Sequence, residues 1–505
     1  MLASGLMWMA LAAAQPDELK EELKETIERL RSAPVELQVK GLLSLVEKGA
    51  VKDGLGEGGK LDERELIEEC FHLAAQAGRE MPLRLIGGAQ VEDPDARLEE
   101  ATAQRLDRLT LQAWAVRLMA ARDKAKAREL MVLLRLPIYR KLECADRTAD
   151  VPNAYYVALG VILETGFSVK ERADGMASGL VRSELAKITS TLQLEALLTE
   201  LIRLQWTAEE YAAIVAPLGD TLGNLRVDDR TFTATERGLY GLVPKIEQFG
   251  LQGKTAGVAA DPLAQGLRLF LAGQLSAPRC SDTAANAPAP PAGVRLRPTP
   301  PHPEFPDPSL PVVANYFNHK LRLAAWFPST DLPPLEKEQM TPARLEGAIV
   351  GKKIYWSNER EITLKAQELY WGGRTDTPLS LEERSTPEWL RKAAEYRRMI
   401  GDYRRAEGQP AESWFLHKTG LMMALWNLMP ESPERQEALA EVVRLLASVD
   451  KREVGIDLWV FGARGVMDRA RRDRKDRSVA PEVLAALVQS GDPALWIVVK
   501  MQEWN

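Results

Sequence analysis

The chain is poor in the residues that most often bind transition metals. Its 505 residues include three cysteines and four histidines, and none of them follows the spacing of a zinc site. Glu69 and His72 match half of the helical carboxylate–histidine motif of di-metal proteins, but the second copy that such a centre requires is missing. An ion pair between His72 and Glu68, one helical turn apart, is the favoured interpretation. We therefore expect no metal cofactor.

Sequence motifs for nucleotide binding and nucleophilic catalysis are also missing. The stretch from Gly54 to Lys60 has the glycine and lysine spacing of a phosphate-binding loop, in which backbone N–H groups and the lysine bind phosphates. Leu61 occupies the position of the magnesium-binding hydroxyl, and no strand is predicted before the loop. A flexible connection between helices is the favoured interpretation. The chain has no G-x-S-x-G nucleophile turn, and we expect no cofactor of any kind.

An excess of positive charge, which nucleic-acid binding requires, is missing as well. Lysine and arginine number 66 against 72 aspartate and glutamate residues, a net charge of −6, so nucleic acid is not an expected partner. One local exception runs from Arg464 to Arg477, where seven cations and three aspartates share a predicted helix. A solvated helix face with i,i+4 ion pairs is the favoured interpretation. A docking patch for anionic lipid or polymer is the alternative.

Long hydrophobic runs are limited to one short stretch at the start of the chain. Residues 1–14 are apolar and uncharged, end in three alanines and precede Gln15-Pro16-Asp17-Glu18. This pattern is typical of a secretory signal peptide, and it is too short for a membrane span of about 20 residues. No lysine or arginine precedes the run, so the terminal amine supplies the positive charge or the true translation start lies upstream. An ordinary buried helix is the alternative. We expect an exported protein, periplasmic or extracellular, with no membrane span in the mature chain.

The three cysteines fit an oxidising compartment only in part. Cys70 shares a helical stripe with Leu66 and Leu73, which predicts a buried, apolar thiol. Cys144 and Cys280 lie in polar, loop-like contexts. A disulfide between them, tying the start of the proline-rich segment to the first half of the chain, is one alternative, and two free thiols are the other. Spacing alone does not determine which is present.

Amphipathic helical patterns fill most of the chain. They cover residues 15–275 with short interruptions and resume over residues 312–505. Between them, residues 276–311 hold a dense run of prolines, which remove backbone donors and force extended geometry. The sequence therefore predicts an all-α protein in which an extended proline-rich linker joins two helical domains. An α-solenoid-like array of stacked helical hairpins is favoured over a compact bundle, although no fixed repeat period is present.

Aromatic residues are concentrated in the second half of the chain. Nine of the twelve tryptophans lie after residue 311. Trp356, Tyr370 and Trp371 flank predicted helix ends, where an aromatic side chain can face a groove and form a binding surface. Packing in the helical core is the favoured interpretation of the same residues.

One stretch of the second half resembles a family of enzymes. Glu412-Ser413-Trp414-Phe415, followed by Gly420-Leu421-Met422 and Met429-Pro430, is similar to fragments of the lytic transglycosylase signature. The resemblance implies that Glu412 is the general acid/base that cleaves peptidoglycan and that the Gly-Leu-Met segment shapes the groove. Exported members with a long α-superhelix before the catalytic domain would suit this chain.

The chain also departs from that signature. The gap between Glu412 and the Gly-Leu-Met segment is shorter than in the family, Met423 stands where glutamine is expected, and the downstream tyrosine segment is missing. A helical core stripe that includes Phe415, Leu421 and Leu425 explains the same residues.

Three functions remain compatible with these patterns. The first is an exported, non-catalytic helical scaffold that binds a protein or a cell-envelope polymer. The second is a peptidoglycan-acting enzyme with Glu412 as proton donor. The third is a purely structural envelope protein. We favour the scaffold because no complete catalytic constellation is present.

Overall fold

The computed structural model of the protein describes residues 16–51, 62–85, 94–139, 141–142, 146, 148–225, 236–276, 356–374, 377–472 and 478–504. Helices take up 74% and strands 2% of this part of the chain, which confirms the all-α prediction. Within it there are 22 helices, which in chain order are α1 (Pro16–Arg31), α2 (Val35–Glu47), α3 (Glu63–Ala74), α4 (Pro94–Thr102), α5 (Arg108–Ala120), α6 (Lys124–Leu133), α7 (Asn153–Thr165), α8 (Val169–Ala173), α9 (Met176–Leu185), α10 (Thr191–Leu201), α11 (Ala208–Asn224), α12 (Glu236–Thr255), α13 (Asp261–Ser276), α14 (Ser357–Trp371), α15 (Leu381–Arg384), α16 (Pro387–Asp402), α17 (Ala411–Leu428), α18 (Pro433–Ser448), α19 (Lys451–Val454), α20 (Ile456–Arg472), α21 (Pro481–Ser490) and α22 (Pro493–Trp504).

The β-structure of the described residues is one short antiparallel ribbon. Strand β1 (Leu83–Leu85) pairs with β2 (Thr148–Asp150), so that Arg84 lies opposite Ala149. The hydroxyl of Thr102, at the end of α4, accepts a hydrogen bond from the backbone N–H of Leu83 at 3.0 Å. The ribbon therefore connects the turn after α3 to the loop before α7. Three residues per strand are too few to show the alternating pattern that identifies a strand in a sequence.

Many helices begin at a residue whose side chain accepts hydrogen bonds from the free N–H groups of the first turn. Ser190 and Thr207 do so for α10 and α11, and the glutamine or glutamate three residues later bonds back to the capping residue. Thr386 and Ser432 cap α16 and α18, each followed by proline at the first helical position. A capping residue followed by proline is a sequence pattern that predicts a helix start, and Thr386-Pro387 and Ser432-Pro433 follow it.

Some helices that the sequence predicts as continuous are interrupted. The Asp93-Pro94-Asp95 start signal and the helical pattern after it predict one helix to about Ala121. The structure has two, α4 and α5, because Arg105 has a φ of 59°, and Asp107 then caps α5. The sequence also predicts helices over 171–189 and 452–476, which are interrupted at Gly175 and Gly455, with φ values of 78° and 82°. A residue in this left-handed region cannot continue a right-handed helix, so the axis changes direction there.

The helices of the first half pack in two rows. In one row α2, α3, α5, α7, α10 and α12 contact one another in that order. In the other row α9, α11 and α13 do the same. The rows are held by buried aliphatic and aromatic side chains such as Leu42, Tyr156 and Tyr211. Each helix buries one face against the preceding member of its row and another face against the next.

Helices from the two halves of the chain also contact each other. Helix α4 packs against α17 and α20, and α22 packs against α1 and α2. The guanidinium of Arg29 lies 4.3 Å from the ring centroid of Trp496, and Arg464 Nη1 donates to Gln104 Oε1 at 2.5 Å. Buried residues of both halves belong to one continuous hydrophobic core. The predicted signal peptide (1–14) and residues 277–311 of the predicted linker lie outside the described residues.

The close packing of α11 against α13 depends on two glycines. A β-carbon at Gly266 of α13 would overlap the backbone carbonyl of Gly219 in α11, and a β-carbon at Gly219 would overlap the carbonyl of Pro262. Backbone atoms cannot move aside as a flexible side chain can. Glycine is therefore the residue that permits α11 and α13 to approach this closely.

Replacing Gly266 with alanine is expected to destabilise the protein by about 1–3 kcal/mol, because the added methyl group forces the two helices apart. The measurement is the free energy of unfolding in urea. The matched control is Gly401→Ala in α16, where no atom lies within 4 Å of the added carbon. That change is expected to stabilise the helix by about 0.5–1 kcal/mol through its propensity. A Gly266→Ala protein as stable as this control would contradict the close approach.

Candidate functional site

Glu412, the residue that the sequence resemblance singles out, lies in the first turn of α17 after Pro410. Its side chain is 46% exposed. The oxygen Oε1 lies 3.7 Å from Nη2 of Arg79, which belongs to the turn between α3 and β1. The carboxylate is therefore reachable from solvent while it pairs with a residue far away in sequence.

Arg79 makes its shorter contact with a second carboxylate. Its Nε atom donates to Oδ2 of Asp457 at 2.6 Å, and the Asp457 side chain is only 5% exposed. Gly455, with its positive φ, stands beside both acids. A β-carbon there would lie 2.9 Å from Asp457 Oδ1 and 3.3 Å from Glu412 Oε1. Two carboxylates and one guanidinium therefore share a small volume at the contact between the two halves.

The environment changes the proton affinity of Glu412. Burial is the largest cause and raises its pKa. The positive charge of Arg79 opposes the rise, and the negative charge of Asp457 adds to it. A carboxyl group with a raised pKa that is still open to solvent is suited to donate a proton to a leaving group.

A third carboxylate, that of Asp107, lies close enough to Asp457 for their charges to interact. Asp107 caps α5, and its Oδ1 accepts a hydrogen bond from the backbone N–H of Thr110 at 2.8 Å. Its Oδ2 is buried without a hydrogen-bond partner among the described residues. Burial raises the pKa of Asp107 to about 6, although the hydrogen bonds with Thr110 oppose that rise.

The rest of the enzyme-like stretch forms core. Phe415 is fully buried, and Leu421, Met422 and Met423 are each at most 9% exposed. The packing of this helical stripe accounts for the apolar residues in the sequence fragments. Glu412 is thus exposed to solvent, whereas the apolar residues of the enzyme-like sequence fragments are buried.

The predicted aromatic surface divides into two separate places. Trp356 precedes the first residue of α14, whereas Tyr370 and Trp371 end that helix. Its 15 residues extend about 20 Å at 1.5 Å per residue. Tyr370 is 41% exposed, and its ring meets that of Trp371 edge to face at 4.8 Å between centroids. The structure therefore brings Tyr370 and Trp371 together but not Trp356.

A polar network between α14 and α17 includes a hydroxyl, an imidazole and a carboxylate. His417 Nδ1 lies 3.0 Å from Glu359 Oε1, and His417 Nε2 lies 3.3 Å from the hydroxyl of Thr363. That hydroxyl donates to the backbone carbonyl of Glu359 at 2.8 Å, so its hydrogen is not directed at the imidazole. The network links two helices and is not arranged to activate a nucleophile.

A second candidate site is an exposed apolar segment at the end of α6. The side chains of Val132, Leu133 and Ile138 are 81%, 54% and 97% exposed. Helical periodicity predicts a helix through Leu136, but α6 ends at Leu133. Pro137 forces the residue before it toward extended geometry. We call residues 132–138 the apolar segment, because its exposed side chains are mainly aliphatic.

The apolar segment is attached to the first half of the chain by Leu134 within it and by Tyr139 directly after it. Leu134 is 3% exposed, and the hydroxyl of the next residue after the segment, Tyr139, lies 3.4 Å from Met81 Sδ. Within the described chain, no hydrogen bond engages the backbone of Arg135, Leu136 or Ile138. An extended stretch with open backbone groups and apolar side chains can add a strand from another polypeptide. The sequence signal for it is the proline that stops a helical pattern within an apolar run.

The cysteines and the candidate metal ligands have the following places. Cys70 is buried, as its helical stripe predicts, and burial raises the pKa of its thiol to about 12. Cys144 and Cys280 lie outside the described residues, as does the glycine-rich loop from Gly54 to Lys60. His72 Nε2 lies 3.9 Å from Glu68 Oε1 on the surface.

The described ranges contain neither a candidate membrane-spanning helix nor a candidate metal-binding group. No helix in them combines the length and the apolar character that crossing a bilayer requires. In the same ranges, histidine, cysteine, aspartate and glutamate side chains do not gather in groups of three or more that could hold a metal ion.

Comparison with known proteins adds no relative. No family model, no curated protein and no solved structure matches the chain.

Replacing Asp107 with asparagine is expected to stabilise the protein at pH 7 by up to about 3 kcal/mol, at about 1.4 kcal/mol per pKa unit. The folded carboxyl group, with its pKa near 6, binds its proton more tightly than the unfolded one. Its contribution to stability is therefore greatest at low pH and is lost as the pH rises from about 4 to 6. Asparagine keeps the capping oxygen and removes the charge, so the gain should vanish at pH 4.

The measurement is urea unfolding of both proteins between pH 4 and pH 7. The control is Asp123→Asn at the start of α6, where the capping carboxylate accepts a bond from Lys126 N at 3.0 Å and is 35% exposed. If both variants show the same dependence on pH, the effect belongs to capping and not to the burial of Asp107.

Proposed function

We propose that this protein is an exported all-helical scaffold that binds an extended, apolar stretch of another protein along the apolar segment, residues 132–138. The observation that carries the proposal is the 97% exposure of Ile138 on a stretch, with Arg135 and Leu136, whose backbone has no hydrogen-bond partner in the described chain. Val132, at the adjoining end of α6, is 81% exposed. The partner strand would pair with the open backbone groups and cover the aliphatic side chains. No chemical step is needed for this function.

Several features support a protein as the occupant. Exposed aliphatic side chains on a fixed support are typical of protein interfaces. A glycan would require aromatic and polar side chains, and the segment itself offers one charged residue, Arg135. The rows of helices in the first half supply a rigid support, since Leu134 and Tyr139 attach the segment to that body. We also propose that these rows form an α-solenoid-like array and that residues 276–311 link this array to the C-terminal domain.

A photo-crosslinking amino acid at position 138 of the full-length chain is expected to give one discrete protein adduct in the exported fraction. The protein recovered there should begin at Gln15, after removal of residues 1–14. Val132→Asp should remove the adduct, because a carboxylate cannot be buried against an apolar strand. Mass spectrometry of the adduct would identify the partner.

The matched control carries the same amino acid at Val488, another exposed aliphatic residue at 75% exposure, on α21. Equal adducts at positions 138 and 488 would contradict a specific site. An adduct that muramidase degrades and protease does not would assign the surface to a cell-envelope polymer. A chain that keeps Met1 in the cytosol would contradict export.

A peptidoglycan-acting enzyme is the second candidate, and Glu412 favours it. The carboxyl group is 46% exposed, burial raises its pKa, and Asp457 stands beside it. A raised pKa is what a general acid requires near neutral pH. The Arg79 contact works against this role, because the guanidinium stabilises the charged form.

If Glu412 is catalytic, the purified protein releases soluble fragments from peptidoglycan, and Glu412→Gln lowers that rate by at least about 100-fold. Glutamine keeps the shape of the side chain and cannot donate the proton. The control is Glu431→Gln, an exposed carboxylate in the loop after α17, which should leave the rate unchanged. No release by the unaltered protein would leave the scaffold as the function.

A further inference from the structure

The indole ring of Trp426 is surrounded by arginine side chains. The ring is fully buried, and the guanidinium carbons of Arg435, Arg472 and Arg469 lie 3.9, 5.6 and 5.9 Å from its centroid. Trp426 belongs to α17, Arg435 to α18 and the other two arginines to α20. Two helices therefore bring three cations within cation–π distance of one ring on a third helix. We call these three arginines the Trp426 cluster.

Two of the three arginines of the Trp426 cluster form no ion pair within the described chain. Within the described chain, no carboxylate lies within ion-pair distance of Arg469 or Arg472. The pKa of Arg469 is lowered, chiefly by burial and then by the charges of Arg472 and Arg97, while Asp468 opposes this effect. Arg97 comes from α4 in the first half of the chain. Like charges thus concentrate here against mutual repulsion.

Two hydrogen-bond donors of the same neighbourhood are buried and unsatisfied. They are Nε of Arg469 and Nε1 of Trp426, and neither has a partner among the described residues. An unpaired buried donor costs about 1–3 kcal/mol, and native structures contain few of them. One negatively charged acceptor at this place would satisfy such donors and offset the repulsion between the guanidinium groups.

We propose that the Trp426 cluster binds the phosphate group of a small soluble molecule. The guanidinium fork donates two parallel hydrogen bonds to phosphate oxygens, and several guanidiniums match the multiple charge of a phosphate group. Arg472 is exposed and Arg469 is half-buried, so the ligand enters from the side of α20. A phosphate group on a lipid is the other source of the same chemistry. The partial enclosure of Arg469 favours the soluble molecule over a flat membrane surface.

The sequence pattern alone favours a solvated face for residues 464–477. The structure describes this run up to Arg472 and shows Arg469 and Arg472 directed at the ring of Trp426. Their spacing of three residues places them on one side of α20. This side faces α17, so the half-buried Arg469 and the exposed Arg472 both contact the Trp426 ring, and neither forms an ion pair with a carboxylate of the described chain.

Titration calorimetry of the full-length protein with inorganic phosphate, at constant ionic strength in sodium chloride, tests the proposal. We expect saturable binding that weakens at least tenfold in Arg469→Gln and in Arg472→Gln. The control is Arg444→Gln on α18, which removes the same charge from an exposed pair with Glu437 at 2.9 Å and should bind phosphate like the unaltered chain. Because phosphate also stabilises folded proteins non-specifically, the comparison between variants carries the result.

Circular dichroism of each variant shows whether it is folded. Arg472 is exposed, so its replacement keeps the test valid if Arg469→Gln does not fold. Absence of phosphate binding, or equal binding by all four proteins, would overturn the proposal. Binding to phosphatidylglycerol vesicles without binding to inorganic phosphate would also overturn it, since the ligand would then be a membrane surface.

Discussion

The ion pair between the half-buried Arg79 and the buried Asp457 is the contact on which the described arrangement depends. It joins residues 378 positions apart in the sequence at 2.6 Å. The Asp457 side chain is 5% exposed, and a carboxylate that is removed from water needs a partner. Loss of one member of such a pair typically costs about 3–5 kcal/mol, because the other charge stays buried. Helix α4 also packs against α17 and α20, and the buried residues of the two halves belong to one core.

This contact also determines where the candidate chemistry lies. Helix α17 carries Glu412 at its start and Trp426 near its end, and α20 carries Asp457 and Arg469. When α4 docks on these two helices, it brings Arg97 close enough for its charge to act on Arg469. The carboxylates that surround Arg79 and the arginines of α20 that contact Trp426 thus lie along the same two helices, α17 and α20. The apolar segment belongs to the first half, and the contact between Tyr139 and Met81 that holds its end lies within that half.

A large part of the fold follows from local sequence signals. The sequence patterns predict helices over residues 153–165, 357–371 and 493–504, and the structure has helices with these bounds. The agreement follows because capping residues, prolines and glycines act within one turn. The predictions are wrong where a single residue leaves the helical region. The positive φ of Arg105 is unusual for a residue with a side chain, and no local sequence pattern predicts it.

The candidate sites are formed by residues that lie far apart in the sequence, so local sequence patterns do not predict them. Glu412 is noticeable because of its neighbours in sequence, but Arg79, Asp107 and Asp457 become its surroundings only through tertiary packing. The arginine run on α20 is visible in the sequence, whereas its convergence on Trp426 requires the placement of α17 and α18. The sequence does not predict the apolar segment as a separate stretch, because its helical periodicity continues to Leu136 while the helix ends at Leu133.

Cleavage of the chain between its two halves tests the shared core most directly. A protease site is introduced within residues 277–355, the protein is cut, and the product is analysed by size-exclusion chromatography with mass measurement. If the halves are joined through Arg79, Asp457 and the core around them, both fragments elute together at a ratio of one to one without denaturant. Separate elution of two folded fragments would contradict the account.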